Sequence, residues 1–397
     1  MAAIDAHQQP GIKLSELWVD KRSRGVIIQI ISLVVLFAFL GWIVSNTINN
    51  LELLGVETGY GFLAEPSNYD INQRPIEYDS RSSHARAMVV GILNTVIVAV
   101  TGIVFATILG FVAGVLRLSG NWLVSRLVYC YVEFTRNVPL LLQILLWYGV
   151  IVHSLPKPKE AMAPVDGVFL SNRGFAVPSP QFEPAFWAVF IAFVAAVVGA
   201  VLFARYAKKV QEATGKHYPV FTINTALIIG LPALVFIVLG APVTWSIPEL
   251  KGFNFKGGLM IRPEFLALWF ALSVYTAAFI SENVRAGIQA VSHGQTEAAR
   301  ALGLRPNWTM RLVILPQALR VIIPPLISQY LNLTKNSSLA IAIGYMDIVA
   351  TIGGISLNQT GRALECMSIV LSLYLFFSLS ISMIMNWYNK RVALVER

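Results

Sequence analysis

The sequence predicts an all-α, polytopic membrane protein with about eight transmembrane helices. Of its 397 residues, 56% are hydrophobic and 13% are charged, whereas soluble domains average roughly 25% charged residues. The apolar residues form long continuous runs, unlike the alternating strands of a transmembrane β-barrel. Disordered chains need low hydrophobicity, which this chain does not have. A soluble globule and a disordered chain are therefore excluded, and a β-barrel is not favoured.

The spans follow from the rule that a membrane-crossing helix needs about 20 mostly apolar residues. Eight stretches satisfy it: 26–46, 88–116, 124–152, 186–204, 221–242, 264–284, 320–345 and 364–387. The first run is too long for a cleaved signal peptide and ends without a small-x-small cleavage site. The outer stretches 47–87 and 153–185 are predicted as loops, and the inner stretch 285–319 is predicted to be helical.

The basic residues predict the orientation of the chain. Well over half of the 30 Lys and Arg residues fall on the side of the N-terminus, and two, Arg136 and Lys335, lie inside spans. Cytoplasmic loops of membrane proteins carry this excess, so both termini are predicted to be cytoplasmic. The net charge of +9 belongs largely to this face. No nucleic-acid partner is needed to explain it.

Two further patterns concern the spans. Cys130 and Cys366 lie in apolar stretches and the histidines are scattered, so neither a disulfide framework nor a metal site is predicted.

Gly110 and Gly114 form a small-xxx-small pattern that allows two helices to pack closely. The pattern is predicted to serve packing in the core of the chain rather than dimerisation.

The clearest motif lies between the sixth and seventh spans. Residues 295–302 predict a short helix, and Gly303 follows at the position where a left-handed residue ends helices. Pro306 is expected at the first position of a second helix, which Pro316 interrupts. Glu297 is expected in the first turn of the short helix, where a negative charge is favoured.

This stretch resembles the Glu-Ala-Ala motif of ABC importer membrane subunits, with Val313 in place of Ile. The matching residues are Glu297, Ala298, Ala299, Gly303, Leu315 and Pro316. The resemblance implies a coupling helix that docks into a groove of a separate ATPase. No G-x-x-x-x-G-K-[ST] sequence is present, so no enzyme activity and no cofactor are expected in this chain, and ATP–Mg belongs to the partner. An ordinary surface helix with a Gly cap is the alternative.

Three longer stretches resemble the histidine-type permeases of polar amino-acid ABC importers: 91–119, 131–143 and 275–339. About 88–152 and 264–390 are covered, which supply the five helices of a type I importer permease core. The three extra helices are the first span and a two-helix insertion at 154–263. This enlarged form resembles the Q-type subunit of the general L-amino-acid transporters of proteobacteria.

The resemblance implies an organisation and a set of partners. Residues 1–87 hold a cytoplasmic tail, the first span and a periplasmic loop, 88–390 form the transmembrane domain with the coupling loop 285–319, and 391–397 form a cytoplasmic tail. The expected function is translocation of L-amino acids across the bacterial inner membrane. The expected partners are a second related permease, two ATP-binding subunits, a periplasmic amino-acid-binding protein and the bilayer.

Two cations inside spans are candidates for the substrate path. Arg136 lies roughly 15 Å deep and Lys335 roughly 22 Å from the inner face at 1.5 Å per residue. Each costs at least ~2.5–3.5 kcal/mol in the bilayer, so each should face a cavity or a partner, such as a substrate carboxylate. Asn137, Asn336, Ser337 and Ser338 add donors and acceptors beside the two cations.

The spans are also expected to contain interruptions at prolines and ion pairs within helices. Pro139, Pro324 and Pro325 can interrupt helical hydrogen bonding. In the alternative, structural interpretation, Arg136 pairs with Glu133 and Arg285 with Glu282, or the cations reach an interface. A gating or structural role is favoured for Glu282 and Arg285.

Two other function classes predict features that this sequence lacks or shows only in part. An ion-gradient-driven secondary transporter of small polar solutes predicts inverted repeats and acids near the midplane, for which Glu133 and Glu365 are the candidates and no repeat is evident. A membrane-embedded enzyme needs a clustered catalytic constellation, which the scattered histidines do not supply.

Overall fold

The computed structural model describes residues 21–53, 55 and 58–392. Most of the two predicted tails, residues 1–20 and 393–397, lies outside the described residues. Within the described part, the helices are α1 Lys21–Leu53, α2 His84–Arg117, α3 Trp122–Asn137, α4 Leu140–Ser154, α5 Phe186–Thr214, α6 Val220–Val238, α7 Pro263–Gln289, α8 His293–Ala301, α9 Pro306–Thr309, α10 Leu315–Asn336, α11 Leu357–Thr360 and α12 Ala363–Val392. Seven helices there are long and apolar enough to cross a membrane, or eight spans with the bent pair α3–α4. The predicted helical membrane fold is confirmed.

The core forms around α7, which packs against α2, α3, α4 and α10. Helices α2 and α7 approach closely because α2 presents glycine at the contact. A Cβ atom on Gly110 would lie 2.6 Å from Ile280 Cβ, and one on Gly114 would lie 2.6 Å from Val284 Cβ. The small-xxx-small pattern therefore serves packing within this chain, as predicted.

The predicted span 124–152 is present but bent, because α3 and α4 meet at an angle of 108° at Pro139, where an interruption of helical hydrogen bonding is expected. Pro139 has no N–H to continue the helix, and Val138 before it is extended at φ −98° and ψ 127°, as expected for a residue that precedes proline. Gln143 Nε2 donates to the carbonyls of Thr135 and Val138, at 2.9 Å each. Gln143 thereby satisfies acceptors that the break leaves open.

At Pro324 and Pro325, where an interruption of hydrogen bonding is also expected, the helix does not end, since α10 continues through both. A proline removes one N–H donor, and spanning helices tolerate that loss. The irregular turns lie on either side of α10 instead. A π-helical turn spans Met310–Ile314 ahead of Pro316, and a 3₁₀ turn spans Ser337–Ile343 after the last residue of α10.

Residues 58–83 fold over the membrane end opposite α8. Phe62 is fully buried in the cluster that contains Ile348 and Ile352. The Gly59 N–H donates to the Glu365 carboxylate over 2.5 Å, which ties this loop to the first turn of α12. Glu365 is therefore held by a loop at a helix end.

The stretch predicted as the loop 153–185 contains short strands that pair with strands after α6. The strands are β1 Met162–Val165, β2 Val168–Ser171, β3 Gly174–Val177, β4 Ser179–Phe182, β5 Val243–Ser246, β6 Glu249–Lys251, β7 Asn254–Lys256 and β8 Leu259–Ile261. They form an antiparallel sheet in the order β1-β2-β3-β8 and the two pairs β4-β5 and β6-β7. The pairing of Phe175 with Ile261 joins the two ends of the insertion.

The extra helices are much less covered than the core. Helices α5 and α6 pack against each other, and none of the described residues of α6 is buried. The apolar window of α1 is likewise unburied, whereas more than half of the α7 window is buried. Within this chain, the three added helices therefore leave most of their apolar surface uncovered.

Candidate functional site

Helix α8 and its C-terminal turn form the predicted short helix of the coupling loop. The helix covers His293–Ala301, close to the predicted 295–302. Gly303 follows with φ +75°, the Gly303 N–H donates to Arg300 O over 2.9 Å, and the Leu304 N–H donates to Ala299 O over 3.1 Å. These two bonds form a Schellman turn, which needs a left-handed residue at the position of Gly303.

The two faces of α8 differ in exposure. Ala299 is 3% exposed, and α8 packs against the π-helical turn before α10. Gln317 Nε2 of α10 donates to Gln295 Oε1 over 3.2 Å. Glu297 and Ala298 are exposed. One face thus fixes α8 to the transmembrane domain and leaves the other free for a partner.

The prediction that Glu297 lies in the first turn is wrong, because α8 begins two residues earlier than predicted. Glu297 lies in the second turn, where its carboxylate is 3.5 Å from His293 Nδ1. Exposed apolar side chains lie in and after the turn that ends α8, and Leu302 is 81% exposed. Leu315 is half-buried and Pro316 is exposed.

An ion cluster centred on Glu282 joins three helices at the α8 end of the bundle. The Glu282 carboxylate binds Arg285 of α7 and Arg117, the last residue of α2. Arg117 also lies 3.8 Å from Glu133 of α3. The Glu282–Arg285 pair is present as predicted, whereas Glu133 pairs with Arg117 rather than with Arg136.

Arg117 is the member of this cluster that sequence reasoning missed. In the sequence it is one of the basic residues on the side of the N-terminus, and it lies near the end of the first stretch that resembles the permease family. Its partner Glu282 is 165 residues away in the chain, so only the folded structure connects them.

Arg136 and Asn137 lie at the end of α3, immediately before the bend. The Arg136 guanidinium carbon is 5.3 Å from the centroid of the Phe279 ring, and Asn137 Nδ2 donates to Glu133 O over 2.7 Å. Phe279 is ten residues before the last residue of α7, which corresponds to about 15 Å along a helix. The Arg136 guanidinium therefore packs over the Phe279 ring, and the Asn137 amide bonds a carbonyl in the last turn of its own helix.

Lys335 and the three polar residues after it lie where α10 passes into the 3₁₀ turn. Lys335 is exposed and Asn336 is half-buried. Ser337 is fully buried, and its hydroxyl donates to Thr334 O over 2.8 Å. The Ser338 hydroxyl donates to Lys335 O over 2.8 Å. Both serine hydroxyls therefore bond within their own helical turn.

The two cations share a structural setting, because each precedes a helix discontinuity by a few residues. Helix α4, which follows Arg136, packs against the 3₁₀ turn that follows Lys335. Leu140, Ile144 and Ala340 belong to the same buried cluster. Arg136 and Lys335 are therefore linked through the packing of these segments, since two cations cannot pair with each other.

A buried carboxylate, Asp347, was also missed by sequence reasoning. It is fully buried between α10 and α12. Tyr374 donates to Asp347 Oδ2 over 3.2 Å, and the Ala350 N–H donates to Oδ1 over 2.9 Å. The second bond resembles helix N-capping. An acid within an otherwise apolar stretch was the available indication.

Comparison with known proteins gives matches along nearly the whole chain. Residues 218–394 match the family described as "Binding-protein-dependent transport system inner membrane component". The general L-amino acid transport system permease protein AapQ of Rhizobium johnstonii is 50% identical over 378 residues, covering 95% of this chain and 94% of AapQ.

Two further relatives match over comparable lengths. The putative amino-acid ABC transporter permease protein YhdX of Escherichia coli is 47% identical over 392 residues, covering 99% of this chain and all of YhdX. The glutamate/glutamine/aspartate/asparagine transport system permease protein BztB of Rhodobacter capsulatus is 46% identical over 428 residues, covering both chains completely. The insertion is therefore included in these alignments.

Proposed function

Because this chain belongs to the binding-protein-dependent transport system inner-membrane components, as a permease subunit of an amino-acid ABC transporter, we propose that it forms part of an L-amino-acid import path. ATP hydrolysis in a separate subunit drives the transport through α8. As a permease subunit, the chain is not itself an enzyme. ATP and Mg²⁺ bind the partner ATPase.

The observation that carries this proposal is the geometry of α8. Its inner face is anchored by Ala299 and Gln295, and its outer face is free. Gly303 turns the chain sharply back toward α10. A short helix presented in this way suits insertion into a groove of a partner, with Glu297 and Ala298 on the free face.

The relatives and the charge distribution support the remaining assignments. The basic side of the chain, which carries α8 and both termini, faces the cytoplasm. The opposite side faces a periplasmic amino-acid-binding protein. The names of AapQ and BztB support polar L-amino acids as substrates. A second related permease, in a heterodimer, and two ATP-binding subunits complete the assembly.

The substrate path lies beside Arg136 and Lys335. Their positions next to helix discontinuities support this role, because interrupted helices present backbone groups and charge ends to substrates. Each cation offers a partner for the carboxylate that every amino acid carries. Asn336 and the backbone around Ser337 and Ser338 supply further polar groups.

The ion cluster around Glu282 acts as the gate element. Only a few residues separate Arg285 from the start of α8, so displacement of α8 by the ATPase pulls on the last turns of α7. The bond from Glu282 to Arg117 holds α2 and α7 together until that displacement occurs, and Arg285 orients the Glu282 carboxylate from the same helix.

The ion-gradient alternative is not favoured by the environment of the acids. Glu133 lies near Arg117, Glu365 accepts the Gly59 N–H, and Asp347 is bonded to Tyr374 and Ala350. Sustained uphill uptake driven by an ion gradient without ATP would support that alternative and contradict the ABC mechanism.

The test is Gly303→Val in the reconstituted complex. A β-branched side chain at a positive φ angle costs about 1–3 kcal/mol, and we expect ATP-driven uptake to fall by about tenfold while the protein still inserts. ATP hydrolysis should become uncoupled from uptake. Both rates are measured in proteoliposomes.

The matched control is Gly215→Val in the turn that ends α5. Gly215 has a similar positive φ angle of +71° and a new Cβ would meet nothing within 4 Å, but it lies outside the coupling loop. Uptake should change little in this variant. Normal uptake by the Gly303 variant would contradict the coupling role of the turn.

A further inference from the structure

A cavity of about 320 Å³ opens at the α8 end of the bundle, between the end of α2, the start of α3 and the end of α7. Three arginines line it: Arg117, Arg126 and Arg285. Tyr129 and Trp122 contribute aromatic rings to the same walls. The cavity therefore combines positive charge with aromatic surface at one end of the transmembrane domain.

The cavity has an uncompensated positive charge. Arg117 and Arg285 share the single carboxylate of Glu282, and Arg117 has Glu133 as a more distant second partner at 3.8 Å. Among the described residues, Arg126 pairs with no carboxylate. Three guanidinium groups thus face two carboxylates, which leaves one positive charge unmatched.

The arrangement of the guanidinium groups favours an anion. The guanidinium carbons of Arg117 and Arg126 lie 5.2 and 5.1 Å from the centroid of the same Tyr129 ring. Two like charges on one ring repel each other, and an anion shared between them offsets that repulsion. Arg285 is oriented by a bond from Nη1 to Gln289 Oε1 over 2.5 Å.

The surface around the cavity is apolar. Trp122 at the start of α3 is 75% exposed, and Leu116 and Leu123 beside the cavity are also exposed. Tryptophan is enriched at the level of lipid headgroups. A ligand in this cavity would therefore have its anionic group among the arginines and hydrocarbon beside α2 and α3.

We propose that this cavity binds the phosphodiester group of an anionic phospholipid, with the acyl chains along the exposed apolar side chains of α2 and α3. A phosphodiester carries one negative charge, which matches the one unpaired positive charge. Basic pockets between transmembrane helices bind such headgroups on the cytoplasmic side of membranes. Free phosphate shares the same chemistry, and the experiment distinguishes the two.

The experiment compares lipid retention by the full complex, reconstituted in nanodiscs of phosphatidylcholine with and without phosphatidylglycerol. Native mass spectrometry counts the bound phosphatidylglycerol, and thermal unfolding reports its stabilising effect. Arg126→Gln is expected to retain about fivefold less phosphatidylglycerol, the change that one arginine near a headgroup supplies. The stabilisation of the wild type by phosphatidylglycerol should decrease in parallel.

The matched control is Arg205→Gln. Arg205 is an exposed arginine in the second half of α5, and the excess of basic residues predicts that it lies on the cytoplasmic side, as the cavity does. It should retain phosphatidylglycerol as the wild type does. Arg126→Lys keeps the charge and should retain an intermediate amount, which keeps the test valid if Arg126→Gln does not fold.

Three outcomes would overturn the proposal. Equal loss of lipid in the Arg126 and Arg205 variants would mean general attraction to the charged surface. Stabilisation by inorganic phosphate without any by phosphatidylglycerol would assign the cavity to a soluble anion. Loss of a partner subunit from Arg126→Gln with unchanged lipid retention would assign it to a subunit interface.

Discussion

The α2–α7 pair of the core and the α5–α6 pair of the insertion are both built from long apolar helices, yet they pack differently. In the core pair, glycines admit the side chains of Ile280 and Val284 against the α2 backbone. In the insertion pair, a Cβ atom on Gly199 of α5 would lie 3.2 Å from the flexible end of Leu227, and one on Gly230 of α6 would meet nothing within 4 Å. Similar hydropathy therefore accompanies a tighter fit in the core, where the added atom would overlap branched side chains at their Cβ atoms.

The charged groups of the two regions differ in the same way. Glu282 joins α2 to α7 with a side chain that is 25% exposed, whereas Lys208 and Glu212 form a pair within α5 at 78% and 66% exposure. An ion pair between helices restrains their separation, and a pair within one exposed helix does not. The core thus uses its charges for interhelical contacts.

The largest expected effect comes from replacing a core glycine. Gly114→Leu places a side chain where Val284 already lies, and overpacking of this kind costs about 1–3 kcal/mol or more. We expect a large loss of monodisperse protein in size-exclusion chromatography. Gly230→Leu is the matched variant in the insertion and should be nearly neutral. Equal behaviour of the two would mean that the α2–α7 contact is not tight.

Gln143→Leu is expected to have the next largest effect. The change leaves the carbonyls of Thr135 and Val138 without their amide donor, at a cost of about 1–3 kcal/mol for buried acceptors. The unfolding temperature in detergent should fall, and uptake should fall because the bend beside Arg136 loosens. Pro232→Ala in α6, a proline in a helix that continues without a break, should not lower stability.

Glu282→Gln is expected to have a smaller effect on stability than Gln143→Leu. It removes the charge that Arg117 and Arg285 share, which costs about 1–2 kcal/mol for a half-buried charged hydrogen bond. Glu212→Gln breaks an exposed pair and should cost under about 0.5 kcal/mol. Equal shifts in unfolding temperature would remove the distinction between the two ion pairs.

Lys335→Met is expected to have the smallest effect on stability, because the lysine is exposed and lies at the end of α10. Uptake of amino acids in proteoliposomes should nevertheless fall, since a cation beside the path is lost. Lys209→Met on the exposed surface of α5 should change neither quantity. Unchanged uptake kinetics in the Lys335 variant would take this residue out of the substrate path.

The features that could be predicted from the sequence are those determined locally. Long apolar runs marked the spans, and Gly303 and Pro306 marked the turn between α8 and α9, because glycine and proline restrict the backbone where they stand. Pairings between distant segments, such as Arg117 with Glu282, required the fold. The strands were missed because each is only three or four residues long and prolines separate several of them.

The sequence also could not predict which of the prolines would bend a helix. Pro139 bends its span by 108°, whereas Pro324 and Pro325 leave α10 continuous, although each removes a backbone donor in the same way. At the bend, Gln143 donates to the carbonyls of Thr135 and Val138, and this contact between residues on the two sides of Pro139 depends on the fold.

The pairing of β3 with β8 has a consequence for how this subunit can change over time. Adjacent strands lie about 4.8 Å apart, so the segment 178–258, which contains α5 and α6, begins and ends at two neighbouring strands. A segment attached in this way can be gained, lost or exchanged as one cassette without moving the helices on either side. The paired ends of β3 and β8 are therefore a site at which protein engineers can insert a foreign domain.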